Sequence, residues 1–145
     1  DELKISPIVF QKEMEVRDYE CDLADGVNNS VYFIYLEHAR HCALKAGGID
    51  FAELARQRIG LVVGRVEMDF IRSLVSGDKF VVKTIIRRIS KLRFEFAQEI
   101  YRLSDDQIIL KAKVLGTPIN AEGKPRLSPE LEALVTPLLS PLEEA

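Results

Sequence analysis

The clearest pattern in the chain is a long apolar run with helical spacing that lies between segments of alternating apolar and polar residues. The run follows Asn28-Asn29-Ser30 and ends at Gly47-Gly48. Asn and Ser cap helix N-termini, and glycine commonly follows a helix C-terminus. The pattern therefore predicts one long helix that begins near Asn29 or Ser30. Its predicted apolar stripe consists of Val31, Tyr35, Ala39, Ala43 and Ala46.

Five other segments are predicted strands, and four of them alternate with the period of two that is typical of a strand with one buried face. One lies in residues 8–18, and four follow from Leu61 onward. The segment from Phe80 to Ile89 is apolar on both faces, which favours a central position in a sheet. The first strand after the helix is expected to place on one face the residues Val62, Gly64, Val66, Met68 and Phe70.

Strands in hairpin succession predict an antiparallel five-stranded sheet, and we expect it to curl around the single long helix in an α+β architecture. Two short helices are predicted at FAELARQRI, after Asp50, and at LSPELEALV, after a Ser-Pro start. We expect one domain over residues 1–145, with its core at 8–120, a terminal helix at 127–136 and a frayed tail at 140–145. A long edge strand needs pairing or covering, which predicts a homodimer with a continuous sheet, or alternatively a tetramer.

The composition excludes several classes of function. A net charge of −3 argues against general nucleic-acid binding. No apolar run approaches the roughly 20 residues that a membrane-spanning helix needs, and the first residues do not have the pattern of a signal peptide. Cys21 and Cys42 form no metal-binding pattern with His38 and His41. We therefore expect reduced thiols in a cytoplasmic protein with no metal and no cofactor.

A candidate site arises where Asp22 precedes the predicted helix start. The first N–H groups of a helix have no partner within it, and the helix dipole favours negative charge there. A carboxylate at this end can act on a carbonyl as nucleophile or general base, while the N–H of Asn29 binds the oxyanion. A thioester suits such a pair because its thiolate leaves without a strong general acid. The pattern alone is also consistent with Asp22 and Asp25 as plain loop and capping residues.

The sequence DYECDLADGVNNSVYFIYLEHAR, at 18–40, resembles the signature D-x-x-G-[HI]-V-N-N-x-x-Y, followed by E-x-A-R, of hotdog-fold acyl-CoA thioesterases of the 4-hydroxybenzoyl-CoA thioesterase type. The resemblance extends over roughly residues 8 to 120. It implies a hotdog fold, in which the sheet wraps around one long central helix, and thioester hydrolysis at a subunit interface. It assigns the catalytic acid to Asp22 and the oxyanion donor to the N–H of Asn29. The matching positions are Asp22, Val27, Asn28, Asn29, Tyr32, Glu37, Ala39 and Arg40.

One departure from that signature concerns the loop. Asp25 stands where the family has glycine, and the glycine of this chain is Gly26. Aspartate tolerates left-handed backbone angles better than most residues, so the turn either persists or shifts by one residue. A shift would move Asp22 relative to the helix, and it makes Asp25 a rival acid.

Substrate contacts are expected from two groups of residues. One group is Asn28 and Tyr32 near the helix start, with Val62 and Val63 on the next strand; helix capping is the alternative for Asn28, and a core position is the alternative for Tyr32. The other is a basic cluster, for which a solvated strand end is the alternative to a clamp on the phosphates of coenzyme A. The cluster consists of Arg87, Arg88, Lys91 and Arg93, with Ser90 among them.

Two other functions fit the same pattern. A hydratase or dehydratase acting on acyl thioesters would need a histidine near the acid, whereas His38 and His41 lie well inside the predicted helix. A non-catalytic module that binds acyl thioesters is the second alternative. The pattern is consistent with an acyl group on coenzyme A and with one on an acyl carrier protein.

Overall fold

The computed structural model describes residues 7–23 and 26–142. Single 3-10 turns lie at Asp18–Glu20 and Thr136–Leu138. The regular elements, in chain order, are β1 (Phe10–Glu15), α1 (Asn29–Ala46), α2 (Phe51–Arg56), β2 (Gly60–Phe70), β3 (Lys79–Ser90), β4 (Arg93–Arg102), β5 (Ile108–Ile119) and α3 (Pro129–Val135). In the described part of the chain, no helix has the length and apolar character required to cross a membrane.

The five strands form one antiparallel sheet in the order β1-β3-β4-β5-β2. β3, β4 and β5 are successive hairpins, and β3 has a neighbour on each side, as its apolar faces predicted. β1 and β2 are the two edges. The expected α+β architecture, an antiparallel five-stranded sheet on an 18-residue helix, is confirmed.

The interface between α1 and the sheet contains two apolar clusters. The first surrounds the N-terminal half of α1, and the second lies between its C-terminal half and α3. Tyr35, Ala39 and Ala43 are buried as predicted, but Val31 is only half-buried and Ala46 is exposed. Each step of four residues advances about 40° around the axis, so Val31 lies at the edge of the buried stripe, whereas Ala46 is the last residue of α1. Leu36 and Leu44, which flank the predicted stripe in the sequence, are buried as well, and so is Tyr32.

A bulge at Gly64 changes the faces of β2. The pairing with β5 shifts between Val63 and Arg65, so one extra residue enters β2 there. Val63 lies opposite Gly116 and Val66 opposite Val114, on the side that faces α1, whereas Val62 lies opposite Thr117 on the outer side. The predicted alternation therefore holds for Val66, Met68 and Phe70, which share the helix-facing side, and is wrong for Val62, because the inserted residue reverses the faces across the bulge.

The C-terminal segment packs back onto β3. Ser140 donates its backbone N–H to the carbonyl of Ile86 at 2.7 Å, and Leu139 forms a parallel bridge with the same residue. The chain is thus attached to the sheet beyond position 140, where a frayed tail was expected. Residues 143–145 of that expected tail lie outside the described residues.

Candidate active site

The segment that carries Asp22 folds back on itself before α1. Cys21 and Val27 form an antiparallel bridge, and the backbone N–H of Asp22 donates to the carbonyl of Gly26 at 3.0 Å. Asn28 N–H donates to the carbonyl of Glu20, also at 3.0 Å. These contacts close the loop just before the helix, so that Asp22 lies beside the first turn of α1.

Asn28 is the residue that joins Asp22 to the helix. Its Oδ1 accepts hydrogen bonds from Ser30 N–H at 2.9 Å and from Ser30 Oγ at 2.7 Å, which is an N-cap. Its Nδ2 donates to Asp22 Oδ1 at 2.9 Å. The capping function predicted for Asn28 is therefore present, and the same amide orients the carboxylate.

The first backbone N–H groups of α1 differ in whether they donate to an acceptor. Those of Ser30 and Val31 donate to the side chain and the carbonyl of Asn28, respectively. Within residues 7–23 and 26–142, no acceptor is assigned to the N–H of Asn29. Asn29 is exposed, so this N–H is available to a ligand oxygen near Asp22.

Gly26 is the position in this loop that requires glycine. Its φ is +102°, and a Cβ atom placed there would lie 3.1 Å from the carbonyl oxygen of Leu74. Leu74 also accepts the N–H of Val27 at 2.9 Å, so the backbone cannot easily withdraw. The required glycine is thus one position later than in the family signature. Asp25, the rival acid, lies outside the described residues and stays a prediction.

The surroundings of Asp22 are open in the isolated chain. Asp22 is exposed, and so are the neighbouring side chains of Tyr19 and Leu23. A substrate held only by this loop and one helix end would remain largely in water. This exposure agrees with a site that a second surface completes.

Tyr32 has a structural position. It is 2% exposed, and its hydroxyl accepts the backbone N–H of Leu74 at 3.0 Å. Its ring packs edge-on against Phe70 and Tyr35, and burial raises the pKa of its phenol. Of the two positions expected for Tyr32, core or pocket lining, the side chain therefore has the core position, beneath the loop.

Two members of the basic cluster are engaged by the C-terminal segment. Arg87 is 6% exposed, donates from Nε to the carbonyl of Pro141 at 3.0 Å and lies 3.8 Å from Glu95. Arg88 donates to Glu132 at 3.0 Å and to the carbonyl of Lys91 at 2.8 Å. The phosphate-clamp prediction is therefore corrected to a structural role for Arg87, which is buried. It stays a prediction for Arg88, whose side chain is 27% exposed, and for the exposed residues Ser90, Lys91 and Arg93.

The two histidines lie away from the acid. His38 is nine residues beyond the start of α1, which is about 14 Å along the axis. His41 stacks on Phe51 with ring centroids 3.8 Å apart, and burial lowers its pKa. His38 Nε2 lies 3.6 Å from Cys42 Sγ. No group of three or more potential metal ligands occurs among the described residues.

Glu20 and Tyr35 form a hydrogen-bonded pair that was not predicted from the sequence. Glu20 is 9% exposed, and its Oε1 accepts the hydroxyl of Tyr35 at 2.8 Å. Burial, and then the hydrogen bond to Glu20, raise the pKa of Tyr35. The only signal in the sequence was an acid two residues before Asp22, because the partners are 15 positions apart.

The sequence matches the family model of the Thioesterase-like superfamily over residues 16–136. The chain belongs to this superfamily. The match covers the loop, α1 and the complete set of strands from β2 to β5, which confirms the resemblance found in the sequence.

Individual relatives support the same assignment. The chain is 40% identical over 113 residues to the acyl-acyl carrier protein thioesterase ATL3, chloroplastic, of Arabidopsis thaliana, covering 78% of this chain and 60% of that protein. It thus spans about 60% of the length of this curated relative.

Solved structures confirm the hotdog fold. A probable thioesterase from Bartonella henselae superposes with a TM-score of 0.77 at 28% identity, covering 84% of this chain and 100% of the other. Slr0204, a 1,4-dihydroxy-2-naphthoyl-CoA thioesterase from Synechocystis, superposes with a TM-score of 0.80 at 20% identity, covering 88% and 96%. At the latter identity the likeness shows the fold alone.

Proposed function

We propose that this chain hydrolyses acyl thioesters, with the Asp22 carboxylate as nucleophile or general base and the Asn29 N–H as oxyanion donor. The observation that carries the proposal is the hydrogen bond from the Asn28 side chain to Asp22. The same side chain caps α1, so the acid is oriented against the helix end that offers the N–H of Asn29. Membership of the Thioesterase-like superfamily supports the reaction class.

The reaction can proceed in either of two ways from this arrangement. As a base, Asp22 takes a proton from water while the hydroxide attacks the carbonyl carbon, and the C–S bond then breaks to release a thiolate. As a nucleophile, Asp22 attacks the carbonyl carbon, the C–S bond breaks to release the thiolate, and water hydrolyses the resulting mixed anhydride in a second step. In both, the carbonyl oxygen becomes negative, and one backbone donor is typically worth about 3 to 4 kcal/mol in that transition state. Neither route requires a cofactor.

The proposed substrates are acyl groups on an acyl carrier protein or on coenzyme A. The Arabidopsis relative carries the first activity in its name, and the Synechocystis protein of the same fold carries the second. Both carriers attach the acyl group through a phosphate-bearing arm. The exposed Lys91 and Arg93 have the charge to contact such a phosphate.

We propose that a second copy of the chain completes the site. Asp22 and the start of α1 are open to solvent, and β2 is an unpaired edge of the sheet. Pairing of two β2 edges would remove that edge and exclude water from the helix ends. We therefore propose a homodimer as the active form.

The test of the proposed reaction is the Asp22→Asn variant. Asparagine keeps an oxygen that can accept from Asn28, so the loop should hold its shape while the carboxylate is lost. Release of free thiol from acyl-CoA should fall by roughly 10² to 10⁴-fold, the usual effect of removing a general base. Asp18→Asn, which changes an exposed acid four positions upstream, should turn over normally.

The outcomes separate the rival assignments. Normal turnover by Asp22→Asn would show that the proposed mechanism is wrong. A larger loss in Asp25→Asn would move the catalytic acid to position 25. Saturable binding of acyl-CoA by the native protein without any thiol release would instead identify a binding module.

A further inference from the structure

A buried carboxylate, Glu20, lies two residues before Asp22 and has no part in the reaction proposed above. It ends the 3-10 turn Asp18–Glu20 and is 9% exposed. A buried carboxylate is unfavourable unless hydrogen bonds replace its water. Its partners therefore indicate why it is kept there.

Both strong contacts of Glu20 go to one oxygen atom. Oε1 accepts the hydroxyl of Tyr35 and the backbone N–H of Arg17, each at 2.8 Å. Tyr35 is 4% exposed and lies on the second turn of α1, with its ring centroid 4.7 Å from that of Phe80. Glu20 is thus attached to the body of α1 through a side chain that the core holds in place.

The backbone of Glu20 is attached to the start of the same helix. Its carbonyl accepts the N–H of Asn28, the N-cap residue that orients Asp22. Only the extended residue Cys21 separates Glu20 from Asp22. The segment from Glu20 to Asp22, the acid-bearing arm, is therefore attached to α1 at two points, one on the helix body at Tyr35 and one at the N-cap Asn28.

A gain in folding stability is a weak explanation for the hydrogen-bonded pair of Glu20 and Tyr35. Replacing two hydrogen-bonded partners with apolar groups of the same shape is often nearly neutral for a fold. What a hydrogen-bonded pair adds is a fixed distance and direction. Here the fixed quantity is the position of the acid-bearing arm relative to the helix that offers the Asn29 N–H.

We propose that Glu20 and Tyr35 are positioning residues that set where Asp22 stands relative to the N-terminus of α1. The inference rests on the proposed function, since it assigns the pair an effect only through Asp22. A displacement of about 1 Å in a reacting group can cost about 100-fold in rate. Loss of the pair should therefore lower turnover in a protein that is still folded and still binds its substrate.

The test compares two tyrosine hydroxyls. Tyr35→Phe removes the bond to Glu20 and keeps the ring in the core, and it should lower kcat by about 10 to 100-fold with KM changed less than about threefold. Tyr101→Phe is the matched control, because Tyr101 donates to Glu99 at 2.6 Å on the sheet and away from the loop. It should keep the native kcat. A Tyr35→Phe enzyme that is folded and has a kcat within twofold of the native value would overturn the inference.

A second measurement separates positioning from general damage. In an Asp22→Asn background, Tyr35→Phe should cause no further loss, since the residue it positions is already disabled. An equal further loss in that background would overturn the inference while leaving the reaction intact. Normal turnover by Asp22→Asn alone would overturn the proposed function, and this inference with it.

Variants at position 20 keep the test decisive if Tyr35→Phe does not fold. Glu20→Gln retains an Oε1 that can accept from Tyr35 and Arg17, so its kcat should stay within about threefold of native. Glu20→Leu removes that acceptor and should lower kcat by at least about tenfold. Equal losses in the two variants would contradict the positioning role.

Discussion

At the scale of single residues, the backbone at Gly26 makes a sharp prediction. Gly26→Ala introduces a Cβ at a φ of +102°, 3.1 Å from the Leu74 carbonyl oxygen and 3.2 Å from Ser73 Cβ. We expect it to lower the free energy of unfolding by about 2 to 3 kcal/mol, because conformational strain and crowding add. Urea denaturation of the purified variant measures this change.

Gly77→Ala is the control for the strain alone. Gly77 has a φ of +84°, yet nothing lies within 4 Å of a Cβ placed there. It should cost only about 1 kcal/mol. If the two variants are equally destabilised, contact with Leu74 is not what requires glycine at position 26.

The residues of the site differ in how far local sequence determines them. The capping of α1 by Asn28 could be predicted because helix capping depends on a few neighbouring positions. Glu20 was missed, because its burial depends on Tyr35, a contact between distant positions. Arg87 was misassigned for the same reason, since its partner Pro141 is 54 residues away. A charged side chain in a strand gives no sign of which remote carbonyl it will meet.

At the scale of elements, the end of α1 packs closely against the C-terminal segment. Gly47, the C-cap of α1, has an ordinary φ of −92°, so its backbone does not require glycine. A Cβ placed there would lie within 2.9 Å of three side-chain atoms of buried Leu138. We expect Gly47→Ala to destabilise the protein by about 1 to 3 kcal/mol through overpacking, although alanine favours a helix. Thermal and urea unfolding both report this difference.

The same substitution in a Leu138→Ala background reveals the cause. With the leucine side chain removed, the new methyl group has room, and Gly47→Ala should become neutral or mildly stabilising. An unchanged penalty in that background would mean that the backbone at Gly47, rather than Leu138, disfavours alanine.

The elements themselves were largely predictable, and the errors have physical causes. The start of α1 at Asn29 and the strand succession follow from capping and from apolar alternation. The face of Val62 was mispredicted because one inserted residue at Gly64 separates it from the face of Val66, Met68 and Phe70, and alternation over a short run does not reveal a bulge. The attachment of the C-terminal segment to Ile86 was also missed, since it depends on the packing of α3 rather than on local sequence.

At the scale of the whole molecule, apolar residues remain exposed on α1 and β2. Phe33 and Ile34 on α1, and Val66 and Phe70 on the helix-facing side of β2, are all exposed in the single chain. Val66 and Phe70 lie on the unpaired β2 edge itself. A second copy that pairs along β2 would cover this edge and its apolar side chains, which is the physical argument for the proposed homodimer.

Val66→Lys tests that assembly, since Val66 is 38% exposed at the unpaired edge. A twofold interface repeats every substitution, so two buried-edge lysines would oppose association and raise the dimer dissociation constant by at least about tenfold. Thioester hydrolysis should fall in parallel with dimer content, because the site at Asp22 is open without a partner. Leu103→Lys changes a residue of similar exposure, 42%, in the turn between β4 and β5 and should leave both unchanged. Sedimentation velocity at micromolar concentration measures the dimer fraction, and a native protein that sediments as an active monomer would exclude the shared site.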